Sequence, residues 1–205
     1  MKLNLGCGSQ VPDGWVNVDY ALGARFAKIP LFGFINRKLN LFNMEWDDRI
    51  VLHDLTKRFP WNDDSVDIIY SSHTLEHFTR DAGRTFLQEC YRVLRKDGTI
   101  RIVVPDLAHI VEEYRAGKLE SDYFLDNLGV LYSNHGGRLK HWMAPFIQFP
   151  HRCMFDTPTL LKVLDQLGFD VSSKPAFESD AIEDIQMIEL QGRTDHAVIV
   201  EGRKR

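Results

Sequence analysis

Short apolar runs alternate along the chain with longer stretches of helical periodicity. One of these runs, Val66–Tyr70, is apolar at nearly every position, as expected of a strand whose two faces are both buried. The runs that predict strands are Lys2–Leu5, Val16–Val18, Ile50–Leu52, Val66–Tyr70, Thr99–Val104, a run starting near Phe169, and Ala197–Val200. Because helical segments separate these runs, the pattern predicts an α/β fold with a parallel sheet covered by helices.

Two segments show clear helical spacing. In Arg80–Arg95 the apolar residues fall at positions i, i+1, i+4, i+5 and i+8, which form one stripe along a helix. Gly98 follows this segment and is expected to end it in a left-handed conformation. Thr157–Leu167 predicts another helix, because Pro158 suits its first turn and Gly168 its end.

The length and composition fit one soluble domain spanning residues 1–205. Hydrophobic residues make up 44% of the chain and charged residues 26%, which is typical of a globular protein. No apolar run approaches the roughly 18–20 residues that a membrane span needs, and the N-terminal residues lack the long apolar stretch of a signal peptide. We therefore expect a cytoplasmic protein. Residues 21–49 contain Pro30 and Gly33 as breakers, and are expected to form helix or loop packed on the sheet.

Charge and cysteine content exclude other classes. The net charge of −4 leaves no general basic surface, so nucleic acid is not expected as a partner. The three cysteines, Cys7, Cys90 and Cys153, are too few and too scattered for a disulfide framework or a zinc site.

A glycine-rich loop follows the first predicted strand at once. Gly6 and Gly8 lack a Cβ and allow a ligand to approach the backbone closely, at the sheet edge where α/β proteins bind ligands. A tight strand-to-helix turn explains the same two glycines equally well. The dinucleotide fingerprint requires a third glycine where this chain has Val11, so a nicotinamide oxidoreductase is disfavoured.

Polar residues follow the next strands at the same sheet edge. Asp19 ends the second strand, and its carboxylate is suited to the two hydroxyls of a ribose. Asp54 follows the third strand and is suited to an adenine amino group, while Ser71 and Ser72 follow the fourth. Each residue alone is weak evidence, but together they predict an adenosine pocket.

Three motifs resemble class I S-adenosylmethionine-dependent methyltransferases. Lys2–Gly8 resembles motif I of that family, Ser71–Phe78 resembles its "S-x-H-x-L-E-H" stretch, and Glu89–Thr99 resembles the helix, turn and strand that follow. The three motifs span about residues 2–106, in the family's order and spacing. The Asn-Leu-Gly-Cys-Gly motif followed by Gly-Trp and Asn-Val-Asp is most similar to a small bacterial subgroup, whose members act on sugars or surface-polysaccharide precursors.

The resemblance implies a Rossmann-like, seven-stranded, mostly parallel sheet of order 3-2-1-4-5-7-6, with strand 7 antiparallel and helices on both faces. It also implies S-adenosylmethionine as the cofactor and a small-molecule methyl acceptor as the partner. The residues expected at the cofactor are Gly6, Cys7, Gly8, Asp19, Tyr20, Asp54, Leu55 and Ser71.

Two features depart from the family pattern. Most members have an acid where this chain has Asn4, so the contact with the cofactor's amino group is expected to be indirect. Ser9–Trp15 contains Pro12-Asp13-Gly14, which leaves no room for the usual first helix, so a loop or a single turn is expected there.

His73 is the candidate catalytic residue, as the base or as a group that orients the acceptor. It follows the fourth strand, and an imidazole with an ordinary pKa near 6.5 suits proton transfer at neutral pH. A structural histidine bonded to the backbone is the competing interpretation. Glu76 and His77 are expected to fix the turn that follows, with His77 also on the substrate side.

The segment of about residues 107–155 is expected to be an insertion that covers the substrate. Its candidate substrate-binding residues are His135, His141, His151 and Arg152. Arg152 suits a carboxylate or phosphate, although scattered polar residues of a surface loop would look the same. No metal site is predicted, because His135 and His141 lie six residues apart and no zinc signature matches.

The sequence leaves two other functions open. A protein or RNA methyltransferase would need a basic or extended groove, which the acidic balance disfavours. A non-catalytic protein that binds S-adenosylmethionine would retain the pocket without turnover.

Overall fold

The computed structural model describes residues 1–29, 46–132 and 149–205, and in them the strands form one seven-stranded sheet. The strands are β1 (Lys2–Leu5), β2 (Val16–Asp19), β3 (Val51–Leu52), β4 (Val66–Ser72), β5 (Leu94–Pro105), β6 (Phe169–Ser173) and β7 (Ala197–Lys204). Their order is β3-β2-β1-β4-β5-β7-β6. Strands β1 to β5 pair in parallel, and β7 runs antiparallel to both β5 and β6. The predicted fold class and strand order are confirmed.

The helices connect these strands and differ greatly in length. Within the described ranges they are α1 (Leu22–Ala27), α2 (Arg80–Val93), α3 (Leu107–Arg115), α4 (Phe124–Asn127), α5 (Thr157–Gln166), α6 (Ile185–Ile188) and α7 (Gln191–Thr194), with a 3₁₀ turn at Leu75–His77. The long helices begin with side-chain caps. Thr79 accepts a hydrogen bond from the backbone N–H of Ala82, and Asp156 accepts one from Thr159. Such caps satisfy backbone donors that have no partner within the helix.

Both faces of the sheet are covered by buried apolar residues. Helices α2 and α5 pack Phe86, Leu87 and Leu160 against one face. On the other face, Trp15 and Ile185 pack against the sheet together with residues such as Tyr70. Helical segments therefore cover both faces, as the alternation of apolar runs and helical periodicity predicted.

The junction between α2 and β5 differs from the expected one. Helix α2 ends at Val93, and β5 begins at once with Leu94, which pairs with Val66. Asp97, with φ 64°, takes the left-handed conformation that the sequence predicts for Gly98. Gly98 is required for a different reason. A Cβ there would lie 2.9 Å from the carbonyl oxygen of Arg95 and 3.0 Å from that of Asp67, so close backbone approach excludes any side chain.

Residues 21–49 form the short helix α1 at their start, with Ala24 fully buried. Residues 30–45 lie outside the described part of the chain. Across residues 1–29, 46–132 and 149–205, no helix has both the length and the apolar character needed to cross a membrane.

Candidate functional site

The connection from β1 to β2 is a loop rather than a helix, as its sequence predicted. The backbone N–H groups of Gly6 and Cys7 both donate to the carbonyl of Val18, at 2.9 and 3.1 Å. Gly6 and Gly8 adopt φ values of 75° and 57°, a left-handed region that glycine enters at little cost. These two glycines turn the chain sharply at the end of β1 and leave an open space above the turn.

Asn4 stabilises this loop through buried hydrogen bonds. The residue is buried, and its Nδ2 donates to Oδ1 of Asn17 at 2.9 Å and to the carbonyl of Gln10 at 3.1 Å. The amide therefore joins both ends of the connection between β1 and β2. An ionised acid at this position would lack these two donors, which gives Asn4 a structural role.

Asp19 links the end of β2 to the glycine loop. Its Oδ2 accepts a hydrogen bond from the backbone N–H of Gly8 at 2.8 Å, and its Oδ1 accepts one from Ala21 at 2.7 Å. Each carboxylate oxygen has further lone pairs available. The side chain is thus fixed in direction and can still accept hydrogen bonds from a ligand.

Asp54 follows β3 and is fixed by its own turn. Its Oδ1 accepts hydrogen bonds from the backbone N–H and the hydroxyl of Thr56, at 2.9 and 2.7 Å. Burial acts to raise the pKa of Asp54, but these hydrogen bonds and the charge of Lys57 outweigh it and lower the pKa overall. Asp54 is therefore ionised at neutral pH and acts only as an acceptor.

These groups line one cleft of about 450 Å³ at the carboxyl ends of the strands. Eight of the predicted site residues line it: Gly6, Gly8, Asp19, Tyr20, Asp54, Leu55, His73 and His77. The strand order places β2 and β3 on one side of β1, and β4 on the other. Asp19 and Asp54 therefore lie on one side of the glycine loop and His73 on the other.

His73 directly follows β4 and has φ 50°. Its Nε2 lies 2.9 Å from the carbonyl of Arg193. Since a carbonyl only accepts, Nε2 carries the proton in the neutral ring and Nδ1 carries the lone pair. Burial lowers the pKa of His73 and the charges of Arg193 and His151 act in the same direction, while the bond to the Arg193 carbonyl opposes them.

Next to His73, the side chains of Glu76, His77 and His151 form a buried cluster beside the cleft. Glu76 is fully buried, and its Oε1 lies 3.4 Å from Nδ1 of His73 and 3.9 Å from Nε2 of His151. The rings of His77 and His151 have centroids 5.0 Å apart. Burial raises the pKa of Glu76 to about 8. Burial, with the nearby His151, lowers the pKa of His77 to about 4.

The remaining predicted site residues lie elsewhere. Cys7 packs in a small apolar cluster with Ala24, and burial together with the charge of Asp19 raises the pKa of its thiol to about 12. Ser71 is buried and donates to the carbonyl of Leu5 at 3.0 Å, so its hydroxyl is used within the sheet. Arg152 lines a second cleft, together with Leu75 and Thr79. His135 and His141 lie outside the described residues.

Eight lining residues are not among those predicted from the sequence: Ala21, Leu22, Gly23, Trp46, Thr74, Phe78, Phe149 and Arg193. The side chain of Arg193 approaches the glycine loop, with Nη2 3.4 Å from where a Cβ on Gly8 would lie. Strand β7 runs antiparallel and starts beside Pro105. The residues just before β7, including Arg193, are therefore brought to the same edge as the ends of the parallel strands.

The comparisons with known proteins agree with this geometry. Residues 3–102 match a family model described as a methyltransferase domain. No curated protein sequence is significantly similar to the chain.

Solved structures from several organisms share the fold. A methyltransferase dependent on S-adenosylmethionine from Methanosarcina mazei is 16% identical with a TM-score of 0.54, over 99% of this chain and 91% of that one. A methyltransferase dependent on S-adenosylmethionine from Archaeoglobus fulgidus is 15% identical with a TM-score of 0.53, over 99% of this chain and 85% of that one. The YcgJ protein of Bacillus subtilis is 15% identical with a TM-score of 0.53, over 100% of this chain and 91% of that one. At these identities the likeness establishes the fold. The family match over residues 3–102, on this sheet order, identifies the chain as a class I S-adenosylmethionine-dependent methyltransferase.

Proposed function

We propose that the enzyme transfers the methyl group to an oxygen or nitrogen atom of a small molecule, such as a sugar or a surface-polysaccharide precursor. The observation that carries this proposal is the cleft of about 450 Å³, a size typical of small-molecule sites. The overall charge of −4 also favours a small acceptor over RNA, which requires a basic surface.

The two sides of the cleft suit the two ends of the cofactor. On the side formed by β2 and β3, Asp19 would accept hydrogen bonds from the ribose hydroxyls, and Asp54 and Leu55 would flank the adenine. Gly6 and Gly8 would hold the methionine part, next to the side of the cleft formed by β4. The guanidinium of Arg193 is available there for a carboxylate, of the cofactor or of the acceptor.

Bound S-adenosylmethionine supplies a methyl group that is already activated on a sulfonium. The protein must hold the acceptor atom about 3 Å from the methyl carbon, in line with the bond that breaks, and must exclude water. His73 orients the acceptor and takes the proton that it loses, while the hydrogen bond to the carbonyl of Arg193 fixes the imidazole tautomer. Phe149 lines the cleft beside His77. Residues 133–148 of the segment predicted to cover the substrate lie outside the described residues.

The acceptor class is tested by following the radiolabelled methyl group. The protein is incubated with labelled S-adenosylmethionine and a cell extract that has been separated into small-molecule, protein and RNA fractions. We expect the label in the small-molecule fraction, and then in individual nucleotide sugars of a defined panel. Label in the protein or RNA fraction would contradict the proposal, as would cofactor binding without any label transfer.

His73→Asn is expected to lower kcat by about 10²- to 10⁴-fold, the usual contribution of a general base, with little change in cofactor affinity. Asparagine tolerates the left-handed backbone at this position, so the variant removes the imidazole without adding strain. The measurement compares kcat on the identified acceptor with the Kd of S-adenosylhomocysteine. His109→Asn is the control, because His109 stacks on His196 and does not line the cleft. Unchanged kcat in His73→Asn would show that His73 is structural.

A further inference from the structure

Three side chains beside the cleft converge on one point. One ligand atom each from Glu76, His77 and His151 lies within 4.8 Å of the other two. Two imidazoles and one carboxylate form a donor set that proteins use for Zn²⁺ and for other divalent transition metals. The sequence pattern did not suggest this set, because His151 lies far along the chain from the Leu75–His77 turn.

The polar atoms of this cluster lack partners. Both carboxylate oxygens of Glu76 and the Nδ1 of His77 are buried and have no hydrogen-bond partner among the described residues. A buried carboxylate without a partner is strongly unfavourable unless a cation or donor compensates it. The contacts to His73 and His151, at 3.4 and 3.9 Å, are too long for hydrogen bonds. The cluster therefore offers buried ligand atoms that no group among the described residues occupies.

The tautomer of His151 is set for metal binding. Its Nδ1 lies 2.7 Å from the carbonyl of Leu128, so this nitrogen carries the proton in the neutral ring. The lone pair then lies on Nε2, the nitrogen nearer to Glu76. Metal-binding histidines typically donate their other ring N–H to a carbonyl or carboxylate in this way.

Backbone contacts hold the two halves of the cluster together. The N–H groups of Arg152 and Cys153 both donate to the carbonyl of Glu76, at 2.7 and 3.1 Å, and the N–H of His151 donates to Gly129 at 2.8 Å. A Cβ on Gly129 would lie 2.6 Å from the His151 ring, so the ring packs directly on that backbone. The ligand positions are thus fixed by main-chain bonds from two sequence-distant segments.

We propose that Glu76, His77 and His151 bind one divalent transition metal ion of the Zn²⁺ class at the wall of the cleft. Tetrahedral coordination at about 2.1 Å would bring the ligand atoms to about 3.4 Å from one another, which small side-chain rotations supply. Three protein ligands leave a position open. His77 also lines the cleft, so that position can take water or an oxygen or nitrogen atom of a ligand. Metal binding does not depend on the proposed acceptor.

The test is a metal titration of untagged protein that has been stripped with chelator and dialysed. Zn²⁺ binding is followed by calorimetry, and Co²⁺ binding by absorption in the visible region. We expect one equivalent of either metal per chain. Glu76→Gln and His151→Ala should each weaken Zn²⁺ binding by at least about 100-fold, since even outer contacts of metal ligands contribute 10- to 100-fold.

His109→Ala is the matched control, because its imidazole stacks on His196 outside the cluster and its loss should leave Zn²⁺ affinity unchanged. Binding of S-adenosylhomocysteine by every variant reports that it is folded, and separates the metal site from the cofactor site. Absence of stoichiometric Zn²⁺ and Co²⁺ binding by the unsubstituted protein would overturn the proposal. Equal affinity in His151→Ala and the unsubstituted protein would also overturn it.

Discussion

Replacing Gly6 with alanine is expected to lower the affinity for S-adenosylmethionine by at least about 100-fold, or about 2.7 kcal/mol. The new Cβ would lie 2.0 Å from Oγ1 of Thr74 and 2.7 Å from its Cγ2. Thr74 is buried and its hydroxyl contacts the carbonyls of Leu5 and Ser72, at 3.4 and 3.2 Å. Because the threonine has little room to move, the glycine loop must shift into the space that the cofactor needs.

Gly14→Ala provides a matched control for this substitution. Gly14 has φ 81°, close to the 75° of Gly6, but a Cβ there would meet nothing within 4 Å. Both variants carry the cost of a left-handed alanine, about 1–2 kcal/mol, and only Gly6→Ala carries the clash. Calorimetry should therefore show normal affinity in Gly14→Ala. Equal affinities in the two variants would show that the loop is not in contact with the cofactor.

A buried ion-pair network holds the segment before β7 against the sheet. Arg101 is fully buried on β5, and its Nε and Nη1 lie 2.7 and 2.8 Å from the carboxylates of Glu189 and Glu201. Its guanidinium also donates to the carbonyls of Glu178 and Pro175, at 2.8 and 2.9 Å. One side chain thus joins β5, β7 and the chain that leads to Arg193.

Arg101→Met is expected to lower the free energy of unfolding by about 3–5 kcal/mol. Methionine fills much of the space, but it leaves Glu189 and Glu201 buried without a countercharge, which is the main cost. Arg203→Met is the control. Arg203 pairs with Asp97 at 2.8 Å in an exposed position, and such pairs contribute less than about 1 kcal/mol. Urea unfolding measures the free energy of unfolding of both variants. A similar small decrease in each would contradict the proposed role of Arg101 in the buried network.

The periodicity of the sequence predicted the sheet well because strand and helix periods differ strongly. The resemblance supplied the strand order, which local patterns do not contain. The predicted end of α2 was wrong in detail, because Asp97 and Gly98 are adjacent and either suits a tight turn. The backbone contacts that decide between them come from Arg95 and from Asp67 on the neighbouring strand.

The side of the cleft that we propose for the cofactor was largely predictable as a cleft wall, since Asp19 and Asp54 follow strands that end at one sheet edge. Cys7 was harder to place, because the residue between two glycines can point to either side of the turn. Its burial beside Ala24 depends on helix α1, whose position the sequence did not give.

The side that we propose for the acceptor was less predictable because its residues come from distant segments. Arg193 reaches the cleft because β7 runs antiparallel, a consequence that the resemblance implied but that the residue pattern did not mark. The sequence predicts Glu76 and His77 as turn residues, with His77 also on the substrate side, and His151 as a substrate-binding residue of the segment that follows β5. The backbone bonds between Glu76 and the segment at Arg152 bring them together.

The central claim is that Asp19, the glycine loop and Asp54 form the cofactor site, and one calorimetric titration tests it most directly. The purified protein and its Asp19→Ala variant are titrated with S-adenosylmethionine and S-adenosylhomocysteine, with Asp170→Ala as control because Asp170 is exposed on β6 at the far edge of the sheet. We predict micromolar binding by the protein and by Asp170→Ala, and none by Asp19→Ala, which loses the acceptor for the ribose and the bond to Gly8. Binding by Asp19→Ala as tight as that of the unsubstituted protein would contradict the account.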